Sequence, residues 1–404
     1  MKTIHSMTCT EWHGLFAHCT ASLAEHTRNL AFVQNALASI NELKPAPLTP
    51  AMNSMFELHA HFFVLELLLN RTPNQSLRLG TFIGYNTQAA ISDMQKSIED
   101  IFAKELLHAD DPEFWQRITE TIPYLRKLML TEAGVQSYFS NPYYWFWSIW
   151  IYPHQNGRSL CLEELHHLQA AHDELGTSLS RYPWLLAQSW MSFFLTRDQE
   201  AMSLFMEINK SFNIRPYGLF QLLSAMAETA EWQRLLKWLA DSAPLLQNHR
   251  TDSLERYFQY WDMAAQHFPH EEQQMWELLV HMLPLTSSIY EEKLLKYGKW
   301  RQWVDYQLST GSDPFDYRAG VFTPFEKNAP EVLLPFYHQA VERYVLLKNR
   351  AGYKSAVKLL KRLAKLYKKM KNDAQWEHFI TAFSSRHSRL RALQEELRKG
   401  KLLS

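Results

Sequence analysis

Apolar side chains recur every three or four residues along most of this chain, and that period constrains the fold more than any other feature. Trp12, Leu15, Phe16, Cys19, Leu23 and His26 follow it, up to Lys44-Pro45. Met55, Leu58, His59, Phe62, Phe63 and Leu67 repeat it after Pro47 and Pro50, as do Ile91, Met94, Ile98, Ile101 and Phe102. Asp110-Asp111-Pro112 predicts a helix start, with an acidic cap and proline in the first turn. Leu162, Leu165, Leu168 and His172 carry the pattern onward. No alternating run of strand length interrupts it, so the expected fold class is all-α. Glycine supports this, at 12 of 404 residues, under half the usual ~7%. Tight hairpins and glycine-rich phosphate loops are correspondingly scarce, and neither GxGxxG nor GxxxxGK[ST] occurs.

The second half has a repeating theme. The chain reads AETAEWQRLLKWL around Trp232, LLKYGKWRQWVDYQ around Trp300 and MKNDAQWEHFITAF around Trp376. In each, a small or polar turn precedes tryptophan, and apolar residues follow. Trp232 and Trp300 are 68 residues apart, twice the 34-residue tetratricopeptide period, whereas Trp376 lies off that period. The expectation is degenerate, tetratricopeptide-like helix hairpins stacked into an α-α superhelix. An irregular aromatic-rich helical region (1–214) would precede a hairpin region (215–404), with the boundary at Asn213 to Pro216.

Three scattered cysteines, Cys9, Cys19 and Cys161, make no disulfide framework. The first 30 residues lack an apolar secretory core, so a cytoplasmic location is expected. The uncharged stretch from Ala133 to Gly157 is broken by Pro142 and Pro153, and its dense part is too short to cross a bilayer. Its block Tyr143-Tyr144-Trp145-Phe146-Trp147 reads as core, or as a partner groove using Tyr144, Trp145 and Trp147.

Histidines raise the question of metal. His59 and His61 point to different sides of a helix. Glu57 and His61 could share a face. Glu163 and His166 form a single ExxH, where a di-iron bundle needs two. His166, His167 and His172 read as lining a partly buried face. Cys9, His13, His18 and Cys19 lack the close cysteine pair of zinc hairpins. No cofactor or metal is expected. An unrecognised metal-dependent enzyme using the helices around His59 and His166 is the alternative to a non-enzymatic interaction protein.

Charge is the sharpest asymmetry. The chain is neutral, with 42 Lys+Arg and 42 Asp+Glu, yet residues 341–404 hold 17 basic against 5 acidic side chains. Tyr353, Val357, Leu360, Ala364, Tyr367 and Met370 form an apolar stripe there. Lys354, Lys358, Lys361, Lys365 and Lys368 form a row beside it, with Arg362, Lys369 and Lys371 nearby. Like charges at i,i+4 oppose a helix slightly. Such a face suits nucleic-acid phosphates or an acidic partner; it also suits plain solvation, or docking on the acidic rest of the chain.

This tail, KNRAGYKSAVKLLKRLAKLYKKMKNDAQWEHFITAFSSRHSRLRALQEELRKGKLL, resembles the C-terminal end of bacterial SWIM zinc-finger proteins of Bacillus-type Firmicutes. The matching positions are Tyr353 to Leu363, Trp376, and Arg389 to Lys401. The family's zinc motif, Cys-x-Cys followed by Cys-x-His, is absent here, so no zinc ligand carries over. The resemblance implies the helical region that follows the finger. It also implies an accessory role near DNA or a protein partner, a Swi/Snf-type helicase among the candidates.

Overall fold

The computed structural model describes residues 4–23, 27–44, 48–69, 84–104, 111–132, 138–212, 217–246 and 251–403. Among these residues every regular element is helical, so the chain is all-α. The chain divides into two compact units, Met1–Phe268 and Pro269–Ser404. The first holds α1 (Cys9–Cys19), α2 (Leu30–Asn41), α3 (Pro50–Leu68), α4 (Tyr85–Phe102), α5 (Pro112–Leu130) and α6 (Ser140–Trp145). It continues with α7 (Gly157–Leu175), α8 (Arg181–Phe194), α9 (Asp198–Phe212), α10 (Tyr217–Glu228), α11 (Trp232–Ser242) and α12 (Thr251–His267). The second holds α13 (Glu272–His281), α14 (Ser287–Lys296), α15 (Trp300–Thr310), α16 (Ala319–Asn328), α17 (Leu333–Leu346), α18 (Arg350–Lys369), α19 (Asp373–Arg386) and α20 (Arg391–Lys399). The boundary anticipated at 213–216 lies outside the described residues.

Local chemistry accounts for the helix starts. Asp111 caps α5 by accepting from the Glu113 amide at 2.9 Å, with Pro112 in the first turn, as the sequence predicts. The first apolar run is two helices rather than one. Asn29 restarts the chain by accepting from the Phe32 amide at 3.0 Å, a capping bond that outweighs continuation of the apolar period.

Helix hairpins recur. α8 pairs with α9, α10 with α11, α14 with α15 and α17 with α18. α8, α10, α12 and α14 begin at Arg181, Tyr217, Thr251 and Ser287, which are 36, 34 and 36 residues apart. The tight turns inside the hairpins use left-handed residues at Thr196, Ala230, Gly298 and Lys348; Lys371 does the same between α18 and α19. After Thr196, Ala230, Gly298 and Lys371, the next amide returns to a carbonyl five residues back: Arg197 to Ser192, Glu231 to Met226, Lys299 to Leu294, and Asn372 to Tyr367. This bond satisfies carbonyls that a helix end otherwise leaves orphaned. Scarce glycine therefore does not mean scarce left-handed turns, because threonine, alanine and lysine fill the position.

The leading tryptophans are half-buried and meet rings of neighbouring helices. Trp232 stacks on His267 of α12 at 4.2 Å, and Trp300 meets Phe325 of α16 at 4.9 Å. Trp376 sits one turn inside α19, against Tyr367 of α18. The fully buried rings are Trp238 and Trp303, further along the same helices as Trp232 and Trp300.

Candidate functional site

The basic face is carried by α18, twenty residues long. Asn349 caps it, its side chain accepting from the Gly352 amide at 2.7 Å. Two apolar faces fix it in place. Tyr353, Val357, Leu360 and Tyr367 are buried as the sequence predicts, whereas Ala364 and Met370 are only half-buried. Gly352, Ala356, Leu359, Leu363 and Leu366 are buried as well. α18 packs against α17, α19 and α20, so it needs a wider apolar surface than one stripe. A Cβ on Gly352 would stand 2.6 Å from the Tyr344 carbonyl of α17. At the other contact, a Cβ on Gly400 would stand 2.7 Å from Val357.

What remains outside is the lysine row. Lys354, Lys358, Lys361, Lys365 and Lys368 are exposed, as are Lys369 and Lys371. The row spans about 21 Å at ~1.5 Å rise per residue. Among the described residues, no carboxylate lies within ion-pair distance of these seven ammonium groups, whereas Arg350, at the start of the same helix, pairs with Glu395 and Glu396 of α20 at 3.2 and 3.0 Å. Within the second unit only Lys354 of the row acts on an acidic side chain, helping Arg350 and Lys399 to hold the Glu396 carboxyl below its ordinary range, and it does so without a direct ion pair. Lys371 lies past the helix end, in the left-handed turn.

Arg362 departs from the rest. It is half-buried, with its guanidinium 5.3 Å over the Phe315 ring and beside Tyr337. Burial pushes the Tyr337 phenol up to about 12, against the opposing pull of Arg362. A groove of about 260 Å³ opens there, lined by Phe322, Glu326, Tyr337, Arg362, Lys365 and Lys369. The spacing of the lysine row gives no hint of this groove, since half of its wall comes from α16 and α17.

The aromatic block belongs to the core of the first unit. Tyr144 and Trp147 are 6% and 0% exposed, so neither presents a partner surface. The dense packing is accommodated by a π turn over Phe146–Ile151. Gly157 lies so close to the Ile151 carbonyl that a side chain there would collide with it. Trp145 alone reaches a surface groove, of about 360 Å³, shared with Lys96, Glu99, Asn141 and Tyr217.

The histidines separate. His59 is fully buried between His13 Nε2, 2.9 Å from its Nδ1, and Thr121 Oγ1, 2.8 Å from its Nε2. Cys9 Sγ lies 4.0 Å from the same threonine. Burial lowers His13 to about 4 and His59 well below its ordinary value, with the charges of His13 and Arg117 adding to the effect on His59. This chain joins α1, α3 and α5, residues 46 and 62 apart in sequence, and no local pattern announces it. His61 is turned to its own helix, 2.6 Å from the Glu57 carbonyl. Burial pushes the Glu57 carboxyl up, but Lys104, Asn53 and Lys44 outweigh it and hold the group at about 2. His166, His167 and His172 are exposed, rather than on a half-buried face, because Cys161, Leu165 and Leu168 fill the inward side of α7. Among the described residues no three His, Cys, Asp or Glu side chains converge as metal ligands.

The chain is similar to the uncharacterized protein YwqB of Bacillus subtilis (strain 168), at 32% identity over 198 residues. The similarity covers 46% of this chain and 36% of that protein, so the chain spans about a third of the relative's length. No protein-family model matches the chain, and no solved structure is significantly similar to it. No described helix is long and apolar enough to cross a membrane.

Proposed function

We propose that this chain is a non-enzymatic helical scaffold whose α18 face contacts the backbone of DNA or RNA, or an equally acidic protein surface. The observation that carries the reading is the exposed lysine row, of which no member lies within ion-pair distance of a carboxylate among the described residues while neighbouring Arg350 is paired; Lys354, nearest to α20, acts on Glu396 only through its field. Unpaired cations on a rigid helix favour a polyanion, because each phosphate they neutralise releases condensed counterions. No base-reading side chain stands out along the row, so contact is with the backbone and sequence-tolerant. Within the second unit the hairpins α14 with α15 and α17 with α18 support stacked helix pairs that hold this face outward.

The likeness of the tail to SWIM zinc-finger proteins supports a place beside such proteins, as a region that works with a finger carried elsewhere. Similarity to a Bacillus subtilis protein agrees with a Firmicutes origin. A Swi/Snf-type helicase is the partner this resemblance favours. Three free cysteines, two of them buried, support a reducing, cytoplasmic setting. The test is binding to a mixed-sequence duplex and to its scrambled counterpart at low salt. The wild-type chain binds both alike, and a variant with Lys354, Lys358, Lys361 and Lys365 replaced by Gln loses most of the affinity while keeping its helical circular dichroism. Strong preference for one sequence, or an unchanged variant, counts against the reading.

A further inference from the structure

The groove beside Arg362 has a charge count that the rest of the row lacks. Along α18 the row offers single cations spaced a turn apart. In the groove, Arg362, Lys365 and Lys369 converge with one carboxylate, Glu326, leaving a surplus of two positive charges. No ion pair joins Glu326 to any of the three among the described residues. The guanidinium is held by Phe315 at 5.3 Å, and Nη1 of Arg362 is buried with no acceptor. Stacking on Phe315 and a hydrogen bond with Tyr337 hold the charge in place, and Lys365 and Lys369 line the same groove from exposed positions. Phe322 and Leu366 give the groove an apolar floor.

We propose that this groove binds the terminal phosphate monoester of a nucleic-acid strand lying along the lysine row, a proposal that rests on the reading of that row as a phosphate-contacting face. A backbone diester carries one negative charge. A monoester carries about −1.5 to −2 at neutral pH and three strong acceptor oxygens, which matches the surplus of two. At about 260 Å³ the groove is smaller than the ~300–1,000 Å³ of sites that enclose a whole ligand, so it fits the end of a longer molecule. Lys365 belongs to both row and groove, which makes the two surfaces continuous.

The test compares short single-stranded oligonucleotides of one sequence, with either a 5′-phosphate or a 5′-hydroxyl, by fluorescence anisotropy. The wild-type chain binds the phosphorylated strand about tenfold tighter, the worth of one charge-assisted hydrogen bond. Lys369→Gln, at an exposed position that leaves the packing untouched, abolishes the preference. Lys358→Gln, remote from the groove, weakens both strands equally and keeps it. Arg362→Gln also abolishes it, with thermal melting to confirm folding. Equal affinity for both ends in the wild type overturns the proposal and leaves the row reading standing; absence of binding to either strand overturns the proposal, and absence of binding to the duplex as well overturns the reading of the row as a phosphate-contacting face. Binding of a phosphoserine peptide in place of either strand assigns the groove to protein and overturns the nucleic-acid occupant.

Discussion

At the scale of single residues, the left-handed residues other than glycine in the turns between helices are this chain's least expected feature. Ala230 sits at φ 57° between α10 and α11, where a Cβ costs about 1–2 kcal/mol relative to a right-handed conformation. Glycine carries no such penalty. Ala230→Gly should therefore raise the unfolding free energy of the first unit by about 0.5–1 kcal/mol, the gain at the left-handed site exceeding the entropy that glycine adds to the unfolded chain; urea denaturation measures it, and a loss of stability contradicts the turn geometry. The His13–His59 pair gives a pH signature. Both histidines stay neutral when folded, His13 down to about 4, whereas in the unfolded chain they take protons below about 6.5. Between these values the unfolded state binds more protons, so stability falls as pH falls, by up to about 1.4 kcal/mol per unit for each histidine. Arg117 and the Tyr124 ring lie against the pair, and Glu57, held at about 2 when folded, adds its own loss only below about 4.3, where the unfolded carboxyl takes a proton. Urea midpoints at pH 7.5 and 5 should show the loss, and His13→Gln should reduce it. A midpoint that is flat or rises toward pH 5 contradicts the burial of the pair.

At the scale of elements, α18 shows how far sequence reading reaches. The period of its lysines and the stripe from Tyr353 to Tyr367 were legible, because both repeat within one helix. The second buried face through Leu359, Leu363 and Leu366 was not, since it depends on how many neighbours the helix has. The cap of α5 was legible from Asp111-Pro112, which acts over three residues. The turns before Trp232, Trp300 and Trp376 were legible as turns, but their left-handed residues were not, because the usual sign is glycine and, apart from Gly298, alanine, threonine or lysine stands in its place. The contact of Gly352 with α17 supplies a sharp test. Gly352→Ala places a methyl group against the Tyr344 carbonyl, with Leu347 Cβ 3.2 Å away, and should cost about 1–3 kcal/mol as an overpacked site. Thermal unfolding of the variant should shift down; an unchanged midpoint means that α17 and α18 do not approach so closely.

At the scale of the whole molecule, charge and architecture are separable. The first unit buries its aromatic block and its histidine chain, and the second carries 23 Lys+Arg against 15 Asp+Glu. The similarity to YwqB reaches 36% of that protein's length, so functions of the longer protein are not inherited by this chain without test. The central claim is that the α18 row neutralises phosphates, and the salt dependence of binding measures it most directly. The observed association constant for a mixed-sequence duplex should be followed across a salt series for the wild-type chain and for the variant with Lys354, Lys358, Lys361 and Lys365 replaced by Gln. Each phosphate contact contributes ~0.9 to the slope of log K against log salt, so the wild-type line should be steeper by about 3–4. Parallel lines, or a wild-type chain that binds no duplex at low salt, would contradict the account and leave the row as a solvated surface.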